Sequence, residues 1–320
     1  MTNKFKNYTA EEFMKLCFAD DSGKIKNEDG YRFWKNFADI NINVWEPECL
    51  KIYDYANRYD ALPDPDVNSY DLYEAHIRLW NIQYAKFNDK DIKDIERDGR
   101  CRCQIRTTDK QIILGSDSIM SIYWHRNFET TKDIMESIQN QPEELNTEIK
   151  NLQTKLNKIG IMEKPNKGFS LYRKFIGLYL QYANTIGGFI LFPRKPMSIN
   201  GKRGLNSQIG DRFDLTLECI RRYYTKSSLD NPLYDVLWQN KEFFDMFKSF
   251  ENYAKFFCLD ESWIKDGHVL NLMDNKELDT YDFTKKPLPT NSTEWWRFYG
   301  NIMDRLDARN EQIKKLLEEK

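Results

Sequence analysis

The stretch Gly201 to Tyr224, GKRGLNSQIGDRFDLTLECIRRYY, gathers Lys202, Arg203, Arg212, Arg221 and Arg222 around the acids Asp214 and Glu218. Guanidinium groups hold carboxylates and phosphates through paired N–H donors, so this composition suits the capture of an anion. Gly201 and Gly204 flank Lys202-Arg203 and let a phosphate approach the backbone, while amides at a helix start add their dipole. In that reading Lys202, Arg203, Asn206 and Arg212 grip the anion and Arg221 and Arg222 add to the binding field. Asp214 or Glu218 then serves as general base or stabilises a developing cation. Ser116, in Ser116-Asp117-Ser118, joins them, and Trp80 or Tyr223 supplies an aromatic wall.

The same residues also read as a scaffold. Glu218 reaches Arg221 and Arg222 at i+3 and i+4, a favourable order along a helix. Arg212 has only Asp211 as an adjacent acid and no i+3 or i+4 carboxylate, and Arg203 has no acid near it in sequence. Two guanidinium groups therefore await either a ligand or distant carboxylates. The G-K-R-G sequence lacks the spacing of a phosphate-binding Walker loop, so it does not decide the matter.

Two functions follow. The first is an effector enzyme of the toxin or defence type, acting on a phosphate-bearing substrate such as a nucleotide, NAD or RNA. ADP-ribosyl transfer is one version, although a spaced Arg, Ser, Gln-x-Glu series is not visible. Ribonuclease action is weaker still: Arg309-Asn310 begins an arginine-polar-x4-histidine element, and no histidine follows before Lys320. The second is a non-catalytic binding or regulatory protein in which the Arg/Glu cluster is structural. Its partner is a protein, docked through a helix at 142–159 and through exposed aromatics, with Trp295-Trp296 as a candidate. No cofactor is required, NAD being the candidate if one is used.

Metal chemistry finds no spacing motif. His76, His125 and His268 are isolated, and Cys101-x-Cys103 lacks a second pair of ligands. No metal residue is therefore assigned from sequence.

The elements that must position these residues are read from periodicity. A T-A-E-E capping box at Thr9 to Glu12 opens a short helix. Leu62-Pro-Asp-Pro-Asp66 is a linker, so residues 1–62 form an N-terminal helical segment and 66–320 the main domain. Asn68 to Trp80 is helical. Cys101 to Thr107 alternates and Lys110 to Leu114 is isoleucine-rich, with a turn-like Thr-Asp between, which predicts a hairpin. Leu145, Ile149, Leu152, Leu156 and Ile159 form a short heptad-like seam, read as one face of an amphipathic helix rather than a dimerising coil. Phe169 to Asn184 reads as an apolar helix, and Ile186 to Phe192 as a buried strand entered through a glycine pair that marks close backbone approach or a bulge.

Stepping Asp211 to Tyr224 at about 100° per residue puts Phe213, Leu217, Ile220 and Tyr224 on one stripe. Leu215 and Cys219 lie opposite it, so this helix is covered on more than one side and its charges are not freely solvated. The phenylalanines and Tyr253 between Phe243 and Phe257 are core, and a last helix starts near Ser292. The fold class is α+β, mainly helical, with a small antiparallel or mixed sheet.

The totals set limits. The chain has 320 residues, 48 basic against 50 acidic, and a net charge of −2, so no global basic field exists to drive non-specific nucleic-acid binding. Ser170 to Phe192 carries Arg173, Lys174 and Asn184 and does not suit a bilayer. The first residues lack an apolar signal region, and the expected location is cytoplasmic without membrane association.

Three stretches resemble the signature of a bacterial family of unknown function. They are Thr185-Ile-Gly-Gly-Phe-Ile-Leu-Phe-Pro193, Ser198-Ile-Asn-Gly-Lys-Arg-Gly204 and Asp211-Arg-Phe-Asp-Leu-Thr-Leu-Glu-Cys-Ile-Arg-Arg-Tyr-Tyr224. The similarity extends loosely from Tyr70 through Gly115-Ser-Asp-Ser-Ile119 and Phe250 to Leu259, ending at Ala308-Arg309-Asn310. The chain departs from the pattern in a shortened link between Pro193 and Ile199 and at Cys258-Leu259-Asp260. The resemblance implies a shared fold and a shared site, and carries no reaction type.

Overall fold

A computed structural model describes residues 70–87, 92–98, 102–106, 111–119, 185–259 and 262–318. The predicted 1–62 segment, the 142–159 helix and the Phe169 to Asn184 helix lie outside these residues.

Helix α1 (Tyr70–Phe87) runs further than the sequence pattern requires. It buries Leu72, Tyr73, His76, Trp80 and Gln83 on one side, the three-and-four spacing of an inward face. The predicted hairpin is present as β2 (Cys103–Arg106) and β3 (Gln111–Ser118), with Cys103 opposite Leu114 and Arg106 opposite Gln111. Strand β1 (Ile95–Arg97) adds to one edge and β4 (Phe189–Pro193) to the other, giving a four-stranded antiparallel sheet in the order β1-β2-β3-β4.

Strand β3 continues past the expected end at Leu114 through Gly115-Ser-Asp-Ser118. Pairing extends it: Gly115 to Ser118 lie opposite Phe192 to Phe189 of β4. Glycine at 115 leaves room for the Arg194 side chain, whose Nε would lie 1.8 Å from a Cβ there. The glycine pair before β4 forms a 3-10 turn, Ile186–Gly188, rather than a bulge. The close approach expected of it is real, since a Cβ on Gly187 would meet Asn310 Oδ1 at 2.2 Å.

Helix α2 (Asn200–Arg203) is a single turn and leads to α3 (Phe213–Tyr224). Every residue of α3 from Phe213 to Ile220 is buried, as its two apolar faces predict. Three short helices follow: α4 (Tyr234–Gln239), α5 (Lys241–Asp245) and α6 (Phe250–Phe256). Phe243, Phe244, Phe247, Phe250, Tyr253, Phe256 and Phe257 are all buried. Phe243, Phe247, Phe256 and Phe257 pack edge to face or tilted on Trp80, and Phe244 and Tyr253 join them through Phe243 and Phe257, the geometry favoured by ring quadrupoles.

A small hairpin, β5 (Ile264–Lys265) and β6 (His268–Val269), closes through Asp266 and Gly267, both at positive φ, as a two-residue turn of the primed type demands. Helix α7 (Ser292–Glu318) begins where predicted. Glu294 N–H donates to Asn291 Oδ1 and the Glu294 carboxylate accepts from Thr290 N–H, a reciprocal cap. Its buried stripe includes Phe298, Ile302, Leu306 and Ile313, with Arg305, Arg309 and Asn310 buried beside them. Among the described residues no helix is long and apolar enough to cross a membrane.

Candidate functional site

The arginine-rich segment converges, but inward. Arg203 is fully buried at the end of α2. Its Nη1 pairs with Asp117 on β3, its Nε donates to Thr216 Oγ1 at 3.0 Å, and its Nη2 donates to the Asp211 carbonyl at 3.1 Å. The rings of Phe192 and Phe213, 6.5 Å apart, each come within 6 Å of the guanidinium carbon. Thr216 in turn donates to the Arg212 carbonyl at 2.9 Å and so links the two arginines.

Arg212 stands at the N-cap of α3 with an extended backbone, φ −77° and ψ 127°. That conformation lets its side chain turn onto Asp214 at i+2, which a helical residue does not reach. Nε lies 3.1 Å from Asp214 Oδ1 and Nη2 pairs with Oδ2, a two-pronged contact. The remaining donors reach the Pro287 carbonyl at 2.7 Å and Asn271 Oδ1 at 2.8 Å. Asp214 also accepts the Leu272 N–H at 2.8 Å.

Glu218 is fully buried and accepts from Arg221 Nε at 2.8 Å and from Arg222 Nε at 2.7 Å. That hydrogen bond raises the Arg221 pKa further, against the opposing effect of burial. Arg222 then binds carbonyls, Asp230 at 2.5 Å and Tyr281 at 2.9 Å among them, with Phe283 beneath its plane. A charge taken out of water this completely survives only with such partners.

The expected division of labour therefore differs from the arrangement found. Arg203 and Arg212, expected to lack built-in counterions, receive Asp117 and Asp214, and both are at most 1% exposed. Asp214 and Glu218 are fully buried and engaged with arginines instead of facing a cleft. Lys202 and Asn206 lie exposed, away from that interior. The structure does not gather Ser116 with the arginines: it is buried, with Oγ 3.0 Å from His76 Nε2 and its N–H donating to the Tyr73 hydroxyl. Trp80, expected as an open aromatic wall, is 2% exposed, sits among Phe243, Phe247, Phe256 and Phe257, and donates its indole N–H to the Lys93 carbonyl.

Beside His76 and Trp80, with Gln83, Cys258 and Arg309, lies a cavity of about 30 Å³, room for a water molecule or two and far below the size of a substrate pocket. Burial first, and the positive Arg309 second, lower the His76 pKa to about 3, so this imidazole is neutral.

The segments carrying the signature are joined by the same logic. Arg309 donates to the carbonyls of Gly187, Phe189 and Phe257 at 2.6 to 3.0 Å. Asn310 accepts the Gly187 N–H at 2.9 Å and donates to Thr185 Oγ1 at 2.8 Å. Desolvation lowers the Arg309 pKa to about 10.

Residues 169–313 match the model of a family of unknown function, DUF6994. The matched region holds the Thr185 to Gly188 turn, the arginine network of α3 and the Arg309-Asn310 clasp, and it leaves α1 and β1 to β3 outside. No curated protein and no solved structure matches the chain.

Sequence reasoning missed the aromatic face of α4. Tyr234 and Trp238 are 48% and 54% exposed, and their rings stack at 6.4 Å with planes 11° apart. Tyr223 extends the row, 6.3 Å from Tyr234, and Leu229 is also exposed. The signal was available: Leu233, Val236 and Leu237 define the buried stripe of α4, and two large aromatics one turn apart fall off it.

Proposed function

We propose that this protein is a non-catalytic protein-binding protein whose arginine and carboxylate network is its internal frame. The observation that carries this reading is that Arg203, Arg212, Asp214 and Glu218 are each at most 1% exposed and hydrogen-bonded to one another or to the backbone. Catalysis on a nucleotide, NAD or RNA would need those groups to face a cleft.

The face offered to the partner is the row Tyr223, Tyr234 and Trp238. Tyrosine and tryptophan dominate binding hot spots because they present large rigid area with few rotatable bonds. Along the chain the row is interspersed with the exposed acids Asp230, Asp235 and Asp245, the last close enough to Tyr223 to add to the rise that burial gives its pKa, against the exposed Lys226 and Lys241. Lys241 Nζ already lies 5.3 Å above the Trp238 ring, so that ring accepts a cation. The charge balance and the ring together fit a basic segment of a partner protein, with lysine or arginine over the aromatics.

The test is fluorescence anisotropy of labelled lysine- and arginine-rich peptides against the full chain, with Tyr234→Ala and Trp238→Ala as comparisons. Salt-sensitive binding that is lost in both variants is expected. Parallel thermal melts with ATP, NAD and short RNA should show no shift. A melting point raised by any of these ligands, or peptide binding that survives both substitutions, would overturn the reading.

A further inference from the structure

The chain after β6 returns alongside it. Val269 O accepts the Leu278 N–H at 2.8 Å, Asn271 N–H donates to the Lys276 carbonyl at 2.7 Å, and Leu270 bridges Glu277 in antiparallel sense. In that register residue 268 lies across from residue 279, and positions two apart share a face. His268, Glu277 and Asp279 therefore project from the same side of the ladder. One ligand atom from each, a histidine ring nitrogen and one oxygen from each carboxylate, all lie within 4.8 Å of one another.

We propose that His268, Glu277 and Asp279 form a binding site for a divalent cation of the zinc class. One imidazole and two carboxylates make a nitrogen and oxygen donor set suited to such an ion, with three protein ligands and a side open to water. His268 Nδ1 is 2.5 Å from Asp279 Oδ2, yet the two do not have the alignment of a hydrogen bond. Asp279 Oδ1 likewise makes no hydrogen bond, although Arg221 Nη2 stands 3.0 Å away at ion-pair distance. Both atoms are shielded from solvent and make ion-pair contacts alone, so each keeps a lone pair that a bound ion would take up.

Arg221 gives Asp279 the outer support that orients a ligating carboxylate. It is itself held by Glu218 at 2.8 Å, so the site is anchored to α3. With Asp279 and Glu277 negative and Arg221 positive, one excess negative charge remains for the cation to meet. The exposed Glu277 leaves the site open for entry.

The test uses the full chain, stripped with a chelator, dialysed, and titrated with Zn²⁺ by calorimetry. Cysteines elsewhere bind zinc too, so the decision rests on His268→Ala and Glu277→Ala, both at partly or fully exposed positions. The wild type should bind a single high-affinity Zn²⁺, and each variant should weaken it about tenfold or more with its circular dichroism unchanged. Absence of saturable binding, or affinity undiminished in His268→Ala, would overturn the site.

Discussion

Helices α3 and α4 are neighbours in sequence and opposites in design. Helix α3 carries four charged side chains, Asp214, Glu218, Arg221 and Arg222, and hides all but an edge of Arg221. Helix α4 carries two of the largest aromatic side chains and turns both to water. The contrast teaches that residue type does not mark a site. In the function proposed above, the guanidinium groups with carboxylates and carbonyls around them are construction, and the uncovered rings are the surface offered to a partner. The exposed pair is the more informative, because burying it within the fold would have been favourable.

The comparison can be broken most forcefully at Glu218. Glu218→Ala leaves Arg221 and Arg222 without their carboxylate inside the protein, and a loss of about 3–5 kcal/mol is expected in urea unfolding. Arg212→Ala should fall in the same range, since Asp214 is left buried. A stability change near zero in either would return the cluster to the status of a ligand site.

The next effect is on pH. The unfolded chain protonates His76 near 6.5, whereas the folded protein holds its pKa down at about 3. Its contribution is therefore intact above pH 6.5 and is lost as pH falls from 6.5 toward 3, by up to about 1.4 kcal/mol per pH unit. Unfolding midpoints at pH 7 and pH 5 should show the drop, and His76→Gln should flatten it. An unchanged slope in that variant would place the loss elsewhere.

The smallest effect sharpens the other half of the comparison. Trp238→Ala and Tyr234→Ala should each change stability by no more than about 0.5 kcal/mol, measured by the same unfolding curves, while removing peptide binding. A large destabilisation would mean that the aromatic row belongs to the core.

Local pattern made several elements legible. The β2–β3 hairpin announced itself by alternation, β4 by its apolar run, α3 by the Phe213, Leu217, Ile220 stripe, and α7 by its start signal. What stayed hidden depended on pairing between distant residues. Asp117 is far from Arg203 in sequence, and the sheet alone brings it there. Asp214, named as a candidate base, was not matched to Arg212 because helical spacing was applied to an arginine that sits before the helix in extended backbone. The expected strand stopped at Leu114, and its continuation to Ser118 rests on backbone partners supplied by β4. His268, Glu277 and Asp279 have no recognisable spacing because their proximity comes from a strand register set by hydrogen bonds. The Arg and Glu residues were singled out together, and the direction in which they face was not in the sequence.

The hold that Arg309 and Asn310 keep on the turn before β4 has a consequence for biosynthesis. A strand made at residue 189 has its flanking carbonyls completed by side chains more than a hundred positions later. While the ribosome is still translating the intervening segment, that edge must wait in an unfinished state, open to wrong partners. Emergence of the final helix is the event that seals it.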